Sequence, residues 1–262
     1  MKTKINGIEL GYDITGQQGQ PIVLIHGLGL NRTIWYEVAA KHLANHRVIL
    51  PDVRGHGESE APAGPYTMTL LAEDILRLLD FLGISKAIVC GHSLGGYIAL
   101  AFADQFPDRL AGLGLIATHS RADSEEKQVN RYQTVKMIQK DGSLVLADSL
   151  APLLSHDQDI VELSHAMIAH TPPEGLIGVL PGMAQRPDRT TMLAGISVPS
   201  LVVAGEDDQI VDLEMAAEMA DRLPDSQLLT ITGGGHMPML EAPDVLGGGL
   251  LDLIHRVEKI AG

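Results

Sequence analysis

The chain has 262 residues, 45% of them hydrophobic and 20% charged, which is enough apolar material for a sizeable core in one large domain or two small ones. Its 33 acidic side chains outnumber 19 basic ones, and the net charge of −14 argues against a nucleic-acid partner and mildly disfavours anionic substrates unless Arg or Lys lines the site. The single cysteine, Cys90, excludes an intrachain disulfide; no apolar run approaches a membrane span of ~20 residues, and the start, MKTKINGIEL, lacks the apolar stretch of a signal peptide, so a soluble, cytoplasmic protein is expected.

Two alternating segments, near Lys4–Ile8 and Glu9–Ile14, predict a hairpin-like pair of strands ended by Gly16–Gly19. Short apolar runs follow at Ile22–Ile25, Val48–Leu50, 87–91, 110–116, 200–205 and 226–231. Unbroken apolar strands are expected where both faces of a parallel sheet are covered. Helical patterns separate them. Trp35, Val38, Ala39 and His42 share one face, as do Leu71, Ile75, Leu78, Leu79 and Leu82. A helix over 95–106 is stopped by Pro107, and one marked by Met215, Met219, Ala220 and Leu223 is stopped by Pro224. Leu246, Leu250, Leu253, Ile254 and Val257 mark the last, where Gly247-Gly248-Gly249 should make the helix bend, fray or begin later. Strand and helix alternate as in an open α/β sheet. Residues 118–190 carry no convincing strand and read as an inserted helical cap.

Gly91-His92-Ser93-Leu94-Gly95 matches G-x-S-x-G where a strand should turn into a helix. Such a turn, a nucleophile elbow, lifts the serine Oγ above the sheet edge, with glycines where side chains would collide. A serine hydroxyl needs a base. The best candidate is His236, in the loop GGGHMPMLEAP after the last strand, because imidazole takes and returns a proton near neutral pH. An acid to orient it should come from Glu206, Asp207 or Asp208, just past a strand end, and the residues alone do not choose among them. The backbone N–H groups of Leu94 and Leu28 are expected to hold an oxyanion. His26 is read as a brace for its loop, and Asp52 and Arg54 as parts of a hydrogen-bonded structural loop. His119, His156, His165 and His170 lack ligand-like spacing and read as surface or pocket residues. No phosphate-loop, HExxH, CxxC or EF-hand pattern is present, so neither a metal nor a cofactor is predicted.

Together, H-G at 26–27, D-x-R-G-x-G-x-S at 52–59, G-H-S-L-G-G at 91–96, G-x-x-D at 205–208 and G-H-x-x-x-x-E-x-P at 235–243 resemble the α/β-hydrolase superfamily over nearly the whole chain. The resemblance implies a mostly parallel eight-stranded sheet flanked by helices, with a helical cap inserted after strand six. The core would then be 1–117 and 191–262 and the cap 118–190. It also implies Ser93 as nucleophile, Asp208 as acid and His236 as base. Serine at 93 argues against the branches that use aspartate there, and HGLG in place of HGGG argues against the hormone-sensitive-lipase type. Overall the chain is similar to the 3-oxoadipate enol-lactonase, carboxylesterase and cofactor-free haloperoxidase group. The expected function is hydrolysis of a small-molecule ester or lactone. Cleavage of a C–C bond, thioester or amide by the same residues is the alternative, as is a ligand receptor with little turnover. Met137, Met167, Met183 and Met192 are candidate pocket residues. Arg131, Arg186 and Arg189 are ordinarily surface residues, and Arg131 is the first choice among them to meet an anionic substrate.

Overall fold

Continuous apolar runs bury both faces only in the interior of a covered sheet, and the computed structural model, which describes residues 1–261, places them there. The strands are β1 (Lys2–Ile5), β2 (Ile8–Thr15), β3 (Ile22–Ile25), β4 (Val48–Pro51), β5 (Ala87–His92), β6 (Leu110–Ile116), β7 (Ser200–Gly205) and β8 (Ser226–Ile231). They form one sheet in the order β1-β2-β4-β3-β5-β6-β7-β8. β2 runs antiparallel to β1 and β4, and every pairing from β4 onward is parallel. Every residue of β3, β4, β5 and β7 is buried, whereas the edge strand β8 exposes Gln227 and Leu228.

The first three helices are α1 (Tyr36–His42), α2 (Met68–Phe81) and α3 (Leu94–Gln105). α2 begins at Thr67, whose hydroxyl accepts from the Leu70 N–H, satisfying one of the amides a helix start leaves free. α3 is buried from Leu94 to Ala103, consistent with its lack of a polar face. Between β6 and β7 the chain forms α4 (Glu125–Asp141), α5 (Leu144–Leu154), α6 (Gln158–His170) and α7 (Pro173–Ala184). α4 packs on α7 and α5 on α6. This cap is seated by hydrogen bonds to backbone carbonyls. Tyr66 N–H donates to the Gly178 carbonyl at 2.7 Å, and Thr171 Oγ1 donates to the Gly29 carbonyl at 2.8 Å. A Cβ at Gly175 would lie 1.8 Å from the Gly55 oxygen, so only glycine permits that approach. The chain closes with α8 (Leu213–Arg222), α9 (Pro238–Glu241) and α10 (Pro243–Ala261). Among the described residues no helix is long and apolar enough to cross a membrane.

Two expectations are corrected. The N-terminal strands do not meet at residues 8–9. Ile5 pairs with Ile8, and Asn6-Gly7, at φ +44° and +78°, forms the turn between them, as an Asn-Gly pair at a two-residue hairpin should. The second concerns Gly247-Gly248-Gly249, which neither bend nor end α10. The helix runs through them, held by Leu246, Leu250, Leu253 and Ile254, all fully buried. A Cβ at Gly247 would lie 2.3 Å from the His42 ring, and one at Gly249 would lie 2.8 Å from Leu229. These two glycines let α10 settle onto α1 and β8, and burial of the stripe outweighs their low helix propensity.

Candidate active site

Ser93 sits where β5 hands over to α3, at φ +52° and ψ −112°. That conformation favours glycine and strains any other residue by about 1–3 kcal/mol. The neighbourhood enforces it. Ser93 N–H donates to the Ile116 carbonyl at 2.9 Å, and its own carbonyl accepts from Gly96 N–H at 2.9 Å and Thr118 Oγ1 at 2.9 Å. A Cβ at Gly91 would lie 1.9 Å from the Gly95 oxygen, and one at Gly95 would lie 2.4 Å from the Ile25 oxygen. The turn therefore exists only with glycine on both sides. Leu94 opens α3, so its N–H and the positive end of the helix face the serine. Neither the Leu94 nor the Leu28 N–H has an acceptor among the described residues.

His236 and Asp208 come from loops beyond β8 and β7. Their side chains are 1% exposed, and His236 Nδ1 lies 2.8 Å and 3.0 Å from the two Asp208 oxygens. Asp208 Oδ1 also accepts from the Ile210 and Val211 amides at 2.8 Å and 3.1 Å. Burial pushes the Asp208 carboxyl up, but the bonds from His236 and the two amides outweigh it and hold it below the usual range. It is therefore a carboxylate that fixes the Nδ1–H tautomer and leaves Nε2 with its lone pair free. Glu206 and Asp207, the other candidates, are exposed. Ser93, His236, Leu28 and Tyr97 all line one cavity of about 80 Å³. No hydrogen bond joins Ser93 Oγ to the His236 ring among the described residues; the two side chains meet across this cavity.

The family model described as the alpha/beta hydrolase fold matches residues 20–174 and 178–243. The chain belongs to the α/β-hydrolase family. A thermophilic esterase from Thermogutta terrifontis, solved with malate bound, is 37% identical over 98% of this chain and 97% of its own, with a TM-score of 0.93. The enol-lactonase from Burkholderia xenovorans LB400 is 30% identical over 97% of this chain and 100% of its own, with a TM-score of 0.90. The curated 3-oxoadipate enol-lactonase 2 of Acinetobacter baylyi is 29% identical over 97% of this chain and 93% of its own.

The rest of this α/β hydrolase's site depends on partners the sequence does not disclose. His92, the residue before Ser93, also lines the cavity. Its Nε2–H donates to the His236 carbonyl at 2.8 Å, and its Nδ1 is buried with no partner among the described residues. Burial, reinforced by the neighbouring His236, lowers its pKa to about 3, so it stays a neutral donor. His26 braces its loop as expected: Nδ1–H donates to the Gly27 carbonyl at 2.8 Å and Nε2 accepts from Val53 N–H at 2.9 Å. Asp52 and Arg54 do not pair with each other. Asp52 takes the Arg32 guanidinium and the Glu58 amide, while Arg54 binds Asp74 at 2.7 Å and 2.8 Å.

The methionine and arginine expectations divide. Met183 lines the Ser93 cavity. Met137 does not: it projects into solvent from α4, 50% exposed, because that helix buries only Ile138. Met167 lines a separate cleft beside Arg32 and His170, and Met192 packs at the margin of the core. Arg186 and Arg189 are buried rather than on the surface, and Arg131 is partly buried. Arg189 is buried near Asp104 at 3.5 Å. Arg131 and Arg186 share one buried carboxylate, Asp123, with Arg186 at 2.7 Å. Arg186 also stacks 3.9 Å from the Tyr97 ring centroid. Two cations on one carboxylate leave an excess positive charge, and Arg131 is the one charged cation among the cavity's lining residues. Among the described residues its Nη1 meets only the Met183 sulfur, at 3.7 Å. Of the cap histidines, His119 is buried and accepts from Tyr97 Oη at 3.0 Å, His156 and His170 are exposed, and His165 pairs with Asp148 at 2.8 Å. Among the described residues no three His, Cys, Asp or Glu side chains converge as a metal site.

Proposed function

We propose that this hydrolase cleaves small carboxylic esters or lactones through an acyl-enzyme on Ser93. The observation that carries the reading is the Asp208–His236 pair opening on the same cavity as a strained serine and two unpartnered amides. The Ser93–His236 bond closes as substrate seats, a tightening common in unliganded sites. His236 Nε2 then takes the Ser93 proton while Oγ attacks the carbonyl carbon. Asp208 stabilises the imidazolium without itself being protonated. The Leu28 and Leu94 amides and the α3 dipole stabilise the oxyanion. His236 returns the proton to the departing alkoxide, or to the ring oxygen of a lactone. Water, activated by the same imidazole, then releases the acid and restores Ser93.

The relatives named esterase and enol-lactonase support ester and lactone bonds over C–C or thioester bonds, whereas curated relatives named putative carbamate hydrolase, 29% and 30% identical, support an amide-type C–N bond as the second reading. The lining by Leu28, Leu30, Leu150 and Leu154 supports a compact apolar substrate body, and Arg131 in the same lining supports a substrate that also carries a carboxylate. The test is Ser93→Ala. Turnover of p-nitrophenyl acetate or butyrate should fall on the order of 10⁴-fold or more with the cooperative unfolding transition retained. Undiminished turnover in that folded variant would reject the mechanism.

A further inference from the structure

The motif G-H-x-x-x-x-E-x-P at 235–243 carries a glutamate, Glu241, that the acyl-transfer steps do not use. The loop before it is built from Gly233, Gly234 and Gly235, with Gly233 at φ +69°, and such a chain has little intrinsic tendency to hold one conformation. Yet a general base must keep its ring in place to within a fraction of an ångström. The pair to Asp208 fixes one ring nitrogen only. The rest of the ring's position is set by the backbone at 235–237.

All three amides of that stretch are tied down. Gly235 N–H and Met237 N–H both donate to Glu241 Oε2, at 2.8 Å and 3.2 Å. The amide between them, His236 N–H, donates to the Leu154 carbonyl at the end of α5, at 3.0 Å. The other Glu241 oxygen accepts from Ser155 Oγ, one residue further along the cap. A Cβ at Gly235 would lie 2.7 Å from Glu241 Oε1 and 3.4 Å from the Leu154 oxygen, so glycine is required for the carboxylate to lie there. The cap residues involved are not remote from substrate, since Leu150 and Leu154 both line the Ser93 cavity.

We propose that Glu241 is a positioning residue for His236, and that with Ser155 and the Leu154 carbonyl it clasps the end of the cap helix to the backbone of the base. The inference rests on the acyl-enzyme reading above. An acyl group pressing on Leu150 and Leu154 bears on the same helical turn that holds the His236 amide, so filling the cavity and aligning the imidazole are mechanically one event. Glu241 touches neither substrate nor the reacting atoms; its effect passes through the peptide of His236.

The test compares Glu241→Ala, Glu241→Gln and Ser155→Ala in the full chain. Two readouts are used: kcat and KM on p-nitrophenyl butyrate, and the rate at which a fluorophosphonate labels Ser93, followed by intact mass. Glu241→Ala frees two amides and should lower both kcat and the labelling rate about 100-fold, the cost of a misplaced catalytic group, with KM within about twofold. Glu241→Gln keeps a carbonyl acceptor for the amides and an amide group that meets Ser155, so it should recover at least a tenth of wild-type kcat. Ser155→Ala cuts the link between Glu241 and the cap, together with the Asp157 N–H bond to Ser155 Oγ at 3.1 Å, leaves both Glu241-bound amides in place, and should lower kcat several-fold. A role in folding alone predicts instead a lower melting temperature with kcat per folded molecule unchanged, and that result overturns the proposal. If both Glu241 variants fail to fold, Ser155→Ala decides: an undiminished kcat and labelling rate overturn it. A wild-type chain that neither turns over esters nor labels at Ser93 sinks the acyl-enzyme reading and this one with it, whereas an active wild type with equally active variants sinks this one alone.

Discussion

Mild acid should destabilise this protein steeply, and its buried histidines set the size of the effect. Desolvation lowers His26 and His119 to about 4 and His56 and His92 to about 3. In the unfolded chain the same rings titrate near 6.5. Below about pH 6.5 the unfolded chain therefore binds protons that the fold refuses, and stability falls as pH falls. From pH 7 to pH 5 each ring contributes a loss of about 2 kcal/mol, and the four together on the order of 7 kcal/mol. A typical domain has a total of only about 5–15 kcal/mol. At Asp123 and Asp208, burial is outweighed by the arginines in the first case and by His236 and two amides in the second, so both carboxyls lie below the usual range. Their contribution persists through this window and is lost only at lower pH. Urea unfolding, followed by the fluorescence of the fully buried Trp35, should show a midpoint at pH 5 far below that at pH 7, or a chain already unfolded. Equal midpoints would refute the assignment of these rings as neutral and desolvated.

Two further predictions concern the last helix and the cavity. Gly248 has no neighbour within 4 Å of an added Cβ, so Gly248→Ala should stabilise the fold by up to about 1 kcal/mol. Gly247→Ala, whose methyl meets the His42 ring, should destabilise it by roughly 1–3 kcal/mol; thermal melts that shift equally in one direction would contradict the packing account. Arg131→Gln leaves Asp123 paired with Arg186, so the fold should survive. The ratio of kcat/KM for mono-p-nitrophenyl glutarate over p-nitrophenyl pentanoate should fall about 10–100-fold, the worth of one charge-assisted hydrogen bond, and an unchanged ratio would remove Arg131 from substrate recognition.

What the sequence discloses, and what it withholds, follows from how local each cause is. Ile22–Ile25 and Ala87–His92 are legible because a fully buried parallel strand must be apolar throughout. The serine turn is legible because Gly91 and Gly95 are sterically required within five residues of each other. The Asn6-Gly7 turn was within reach of the same reasoning, but the alternation of apolar residues runs through it and hides it. Gly247–Gly249 mislead for the opposite reason: propensity is a local quantity, and the surfaces of α1 and β8 that use those glycines lie far away in the chain. The choice of Asp208 over Glu206 and Asp207 rests on the resemblance, because three adjacent carboxylates differ only in which way the loop turns them. Asp123 and its two arginines carry no local pattern at all. They are separated by as many as 63 residues, and their juxtaposition belongs to the packing of α4 against α7. Met137 illustrates the same limit, since α4 is so polar that its apolar residues do not mark one inward face.

If Ser93 itself becomes acylated, rapid-quench mass spectrometry during turnover of a p-nitrophenyl ester should catch the adduct. A transient acyl mass is expected on the peptide containing Ser93, formed at the rate of the nitrophenol burst and absent in Ser93→Ala. Steady turnover with no acyl adduct, or an adduct on another residue at the same rate, would contradict it.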